Sequence, residues 1–164
     1  MEQQKLGIGG ETSQPNIITL DAHQKETLRT ALVESARKLL GIPYMLGAEW
    51  TDITKMPTAL DCSEMVEGVY HQNGLKMPDG SQNQHDFCVH SPSPLLGDLA
   101  FFGRSGAGNQ IYHVGMVLDD VSIIEARGHQ PESSFETGKV ITRPIVNWVK
   151  YSNFVGFMSH PKLA

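Results

Sequence analysis

Cys62 is the residue best placed in this sequence for nucleophilic chemistry. It follows Asp61 at the expected start of a helix whose apolar stripe is Met65, Val66, Val69 and Tyr70, closed by Asn73-Gly74. Unpaired backbone N–H groups and the helix dipole favour a thiolate there, while the charges of Asp61 and Glu64 oppose it. The helix end alone does not decide between a nucleophile and a small buried side chain; a cationic partner such as imidazolium is required. His113 can supply it. It opens an expected strand in which Val114, Met116 and Leu118 face a core, leaving His113, Gly115 and Val117 on the other side. A three-residue loop over 119–121 pairs Leu118 with Ser122 and sets Gly115 opposite Glu125. Glu125 then lies on the His113 face, one diagonal step away over a glycine. A two-residue loop at Asp119-Asp120 would instead turn Glu125 to the opposite face. In the first register, Glu125 accepts from one imidazole nitrogen and leaves the other for Cys62. His129 is the alternative third member, but Gly128 is expected to end the strand before it.

The elements that must hold these residues follow from periodicity. Asp21 and Gln24 have the form of a capping box, and Leu28, Leu32, Ala36, Leu39 and Leu40 continue at helical spacing until Gly41 and Pro43. Residues 1–20, rich in Gly, Gln, Ser and Thr, read as a flexible N-terminal arm ahead of one domain over 21–164. Residues 42–60 read as irregular, and 75–97 as a long surface loop. Short β-rich runs follow at 98–102, 113–118, 122–126, 139–143 and 154–159. Helices first and an antiparallel sheet afterwards give an α+β domain, with the nucleophile at a helix N-terminus packed on a short sheet.

Composition narrows the function classes. The 164 residues carry 13 Lys and Arg against 18 Asp and Glu, a net charge of −5, with no basic footprint for nucleic acid. No apolar run reaches the length of a membrane span, and the N-terminus lacks the plan of a secretory signal. Cys62 and Cys88 form no C-x-x-C pair, and His23, His71, His85, His90 and His160 share no ligand spacing, so solvated positions are expected for these histidines and no metal site. Cys88 reads as a bystander thiol. Trp50 reads equally as a groove wall or a core cap, and Trp148 and Tyr151 as packing near the last strand.

The segment Asp61-Cys62-Ser63-Glu64-Met65-Val66 resembles the nucleophile motif of the NlpC-type papain-like cysteine peptidases. Gly41-Ile42-Pro43-Tyr44-Met45-Leu46-Gly47, Gly97-Asp98-Leu99, His113-Val114-Gly115-Met116 and Phe154-Val155-Gly156-Phe157 resemble further segments of that family, in its order. The resemblance spans about residues 24–160 and implies a papain-like fold. It also implies cleavage of bacterial cell-wall stem peptides, most often between D-γ-glutamyl and the diamino acid. By resemblance Cys62 is the nucleophile and His113 the base. Tyr44 stands near the nucleophile, where its hydroxyl helps hold substrate or the oxyanion, and Asp61 and Ser63 line the site for the substrate's free amino end. No metal or organic cofactor is implied. Two positions depart from the family: Glu125 stands where His, Asn or Gln is usual, and Asp79 replaces an Arg after the nucleophile helix.

The expected function is a cysteine hydrolase of peptidoglycan stem peptides, in a phage or delivered-effector setting with a delivery or wall-binding partner. An amidase or acyltransferase on another acyl substrate is the close alternative. A non-catalytic binding or virion-structural module of the same fold is the alternative from another class.

Overall fold

The computed structural model describes residues 19–133 and 136–164. Helix α1 (Ala22–Arg37) starts at the expected capping box: Gln24 N–H donates to Asp21 Oδ1 at 2.8 Å, and the Gln24 side chain accepts from Asp21 N–H at 2.9 Å. It buries Leu32, Val33 and Ala36. Helix α2 (Cys62–Gln72) turns Met65, Val66, Val69 and Tyr70 into the same core, each fully buried. Gly74, at φ +74°, sits just past its C-terminal end, where a left-handed residue closes a helix.

The strands β1 (Val89–His90), β2 (Leu99–Gly103), β3 (Ile111–Val117), β4 (Ser122–Arg127), β5 (Lys139–Pro144) and β6 (Phe154–Ser159) form an antiparallel sheet among the described residues, in the order β1-β6-β2-β3-β4-β5. Alternation gives the sheet two different faces. Leu99, Phe101, Val114, Met116, Ile124 and Ala126 pack with α1 and α2 in the main core. Ala100, Phe102, Val117 and Ile123 form a second cluster around Trp148 of the short helix α4 (Val146–Val149). The face carrying His113 is therefore a second buried layer. Buried Asp98 ties α1 to the start of β2, accepting from Arg29 at 2.7 Å and from Ser91 at 2.8 Å.

Two expectations are corrected and one open choice is decided. The surface loop over 75–97 contains α3 (Ser81–Phe87) and β1; α3 is polar up to its last residue, Phe87, and its fully buried Gln84 is held by the carbonyls of Ser63 and Pro78, so no apolar stripe announces it. His160 is buried, 2.9 Å from Lys76 O and stacked on Tyr70, so its position is packed where a solvated one was expected. Trp50 is a core cap: it is buried, its indole donates to the carbonyls of Asp52 and Lys55, and a Cβ on Gly68 would come within 2.1 Å of its ring. The expected arm over 1–20 lies, as far as residue 18, outside the described residues.

Candidate active site

Cys62 is the first residue of α2, and Asp61 fixes that helix end. Asp61 Oδ1 accepts from Glu64 N–H at 2.9 Å and from the Ser63 hydroxyl at 3.2 Å, while Oδ2 accepts from Gly47 N–H at 3.0 Å. Asp61 and Ser63, assigned by resemblance to the substrate's amino end, thus also build the helix cap and anchor the loop before it. Tyr44 lies on that loop, with its N–H donating to Gly138 O at 2.8 Å and its ring against Gly128. Burial, and then the charges of Cys62 and Asp61, raise the Tyr44 pKa, which keeps the phenol a proton donor.

The hairpin register is the one that the three-residue loop requires. Leu118 N–H donates to Ser122 O at 2.9 Å, and Met116 pairs with Ile124. His113 and Glu125 therefore share a face, with His113 Nε2 at 3.5 Å from Glu125 Oε2. Nε2 has no other partner among the described residues, and Cys62 is the second group that acts on the ring. His113 lies within β3 rather than at its start, opposite Phe102, where β2 bulges before Gly103. His129 lies beyond the end of β4, exposed and packed by Gly138; the structure brings Glu125, not His129, against the imidazole.

Two residues that the sequence did not assign to the site complete the constellation. Arg143 of β5 is almost fully buried and grips Glu125 with two hydrogen bonds, Nε to Oε1 at 2.8 Å and Nη2 to Oε2 at 2.9 Å. Trp148 is wholly buried, with the His113 ring stacked on it at 5.5 Å between centroids and the Arg143 guanidinium 5.0 Å from its own centroid. Gly115 makes this layer possible, because a Cβ there would meet the Trp148 ring at 2.9 Å and Ile123 at 2.6 Å. The i, i+2 spacing that puts Ile141 and Arg143 on one face of β5 was the available signal for Arg143, but it becomes readable only once β5 is paired to β4.

The charges reinforce one another. Burial, the largest influence on His113, favours the neutral ring, yet Cys62 and then Glu125 outweigh it and bring its pKa up to about 9. Burial likewise opposes ionisation of Glu125, but His113 and then Arg143 hold it down to about 2. An imidazolium is thus held between the Cys62 sulfur and an ionised carboxylate, the arrangement that serves nucleophilic attack by a thiolate and proton delivery by nitrogen. Cys88 is buried elsewhere in the core, and its thiol is pushed up to about 12, mainly by burial. The carboxylates of Glu64, Glu67 and Asp79 offer oxygens within 4.8 Å of one another and are the described group that could approach a metal ion.

Residues 41–149 match the NlpC/P60 family. The chain belongs to that family. Over 89 residues, 53% of this chain, it is 31% identical to the bifunctional muramidase/DL-endopeptidase CwlT of Bacillus subtilis (strain 168). The chain spans 26% of the length of that relative. The NlpC/p60 domain of the peptidoglycan hydrolase SagA is 25% identical and superposes with a TM-score of 0.59 over 80% of this chain and 97% of that one. An NlpC/P60 family protein from Bacillus cereus, 21% identical, shares the fold with a TM-score of 0.66 over 80% of this chain and 40% of its own. The α+β arrangement, with α2 against an antiparallel sheet, is the papain-like fold of this family.

Proposed function

We propose that the chain is a cysteine hydrolase that cleaves peptidoglycan stem peptides at the amide between D-γ-glutamyl and the diamino acid. The observation that carries this reading is His113 held between Cys62 and the buried carboxylate of Glu125, 3.5 Å from Nε2. Cys62 Sγ attacks the amide carbonyl, forming a C–S bond. The backbone N–H of Cys62, in the first turn of α2, has no intrahelical acceptor and is free to bind the oxyanion, with the Tyr44 phenol as a second donor. His113 gives its proton to the nitrogen as the C–N bond breaks, and the amine departs. Water, losing a proton to His113, then attacks the thioester, and the C–S bond breaks to restore the thiol. Glu125 orients the imidazole and stabilises its charged form through both steps.

The family membership and the names of its relatives support peptidoglycan as the substrate. The net charge of −5 supports delivery by a partner, since charge alone does not draw the chain to an anionic wall. Digestion of purified peptidoglycan by the protein and by Cys62→Ala, with products identified by mass spectrometry, tests the reading. Fragments ending at D-γ-glutamyl that vanish in the variant are expected. A fast, His113-dependent thiol without wall cleavage would point to another acyl substrate, and a slow thiol without cleavage to a binding module.

A further inference from the structure

A cleft of about 480 Å³ opens beside His113, lined on its polar side by Arg127, Arg143, Gln130 and Asn153. No aspartate or glutamate lines it among the described residues, although the chain as a whole is acidic. The local charges do not cancel. Arg127, Arg143 and, when protonated, His113 surround the single carboxylate of Glu125. With a neutral His113 and a thiol at Cys62, two guanidinium charges meet one carboxylate. With an imidazolium and a thiolate, three cations meet two anions. Either way one positive charge remains at the cleft.

The two arginines are not equivalent. Arg143 is committed to Glu125 through two short bonds and has almost no exposed surface. Arg127 reaches Glu125 with one contact at 3.3 Å, its side chain is 17% exposed, and its Nε has no partner. Gln130 Oε1 accepts from Arg127 Nη2 and orients the guanidinium. Arg127 is the cation left over.

We propose that this cleft is a subsite for a free carboxylate on the substrate, with Arg127 as the residue that selects it. The inference rests on the stem-peptide reading above and deepens it. A glutamyl residue linked through its γ-carboxyl group keeps its α-carboxylate free near the scissile amide, and a diamino acid can bring a second carboxylate from the other side. A carboxylate supplies the missing negative charge and accepts from a planar guanidinium, whereas its amide leaves the cation uncompensated.

Binding of L-alanyl-γ-D-glutamyl-diamino acid peptides to Cys62→Ala protein, measured by calorimetry, tests this without turnover. The peptides carry both carboxylates free, the glutamyl α-carboxylate amidated, or the diamino acid carboxylate amidated. One amidation is expected to weaken binding roughly tenfold or more, and which one identifies the source of the carboxylate. Adding Arg127→Gln should bring acid and amide to equal affinity, with Arg127→Lys keeping part of the preference. Disturbance of Glu125 through its contact with Arg127 would weaken acid and amide alike, so their ratio isolates recognition. Equal binding of all three peptides, binding of none, or an acid preference that survives Arg127→Gln would overturn the subsite. Discrimination in binding without cleavage by the Cys62-containing protein would remove the hydrolase reading and leave the subsite standing.

Discussion

Replacing Glu125 with Gln removes one charge from a site built around it. Glu125 is wholly buried, bonded twice to Arg143, touched by Arg127 and set 3.5 Å from His113. Breaking a buried pair from one side leaves an uncompensated cation, at a cost of about 3–5 kcal/mol. The rise of the His113 pKa from 6.5 to about 9 corresponds to roughly 3 kcal/mol, shared between Cys62 and Glu125. This stabilisation is fully present below about 6.5 and is lost as pH rises through about 9. The carboxylate's own share, with Glu125 held at about 2, is present above its ordinary 4.5 and lost as pH falls through 2. Glu125→Gln should therefore lower stability most between pH 5 and 7, with the deficit shrinking above pH 9. It should also move the basic limb of kcat/KM downward from about 9. Urea unfolding at several pH values and a pH–rate profile measure the two effects. Adding Arg143→Met to the Gln variant should recover stability by removing the stranded cation, but should not return the basic limb to 9. A Gln variant with unchanged basic limb and a pH-independent stability loss would refute the argument that Glu125 stabilises the imidazolium.

The remaining predictions concern groups around the site. Burial raises the Glu64 pKa to about 7, partly offset by the Trp50 N–H that its carboxylate accepts. Because the native state holds that proton between 4.5 and 7 and the unfolded state does not, stability falls as pH rises through this window; Glu64→Gln should gain on the parent protein by on the order of 1 kcal/mol or more between pH 4 and pH 8, and a constant difference would contradict this. Gly68→Ala drives a Cβ to within 2.1 Å of the Trp50 ring and should cost about 1–3 kcal/mol in denaturant unfolding. A thiol reagent at pH 8 should modify Cys62 in the native protein and reach Cys88, with its thiol at about 12, only on unfolding; a fast phase that persists in Cys62→Ala would show otherwise.

What could be read from the sequence divides along the range of the interactions involved. The capping box of α1, the start of α2 at Asp61 and the β3–β4 register all depend on residues within a few positions of one another, where local geometry has few solutions. The loop over 119–121 narrowed the position of Glu125 to two registers, and the structure takes the one in which Leu118 meets Ser122 across it. Arg143 and Trp148 were not readable in the same way. The connection from Arg127 to Lys139 is too long for turn geometry to fix a register, and α4 is a single short turn whose position depends on the sheet already being formed. Helix α3 escaped for a different reason: its Gln84 is buried through hydrogen bonds to loop carbonyls, and polar satisfaction leaves no periodic trace.

These long-range partners explain why a carboxylate can occupy a position where the family usually carries His, Asn or Gln. An amide is neutral and can be buried with ordinary hydrogen bonds, but a carboxylate in the same dry layer would take up a proton unless cations hold it ionised. Arg143 meets that requirement with two bonds, and Trp148 supplies a flat surface on which the guanidinium and the imidazole both stack. Gly115 in turn lets Trp148 descend onto the sheet. The departure at Glu125 therefore belongs to a set of four residues, Glu125, Arg143, Trp148 and Gly115, whose side chains or lack of one make sense only together. Arg127 adds a second cation that this set does not need for neutrality, and that surplus turns a positioning device into a cleft able to distinguish acids from amides.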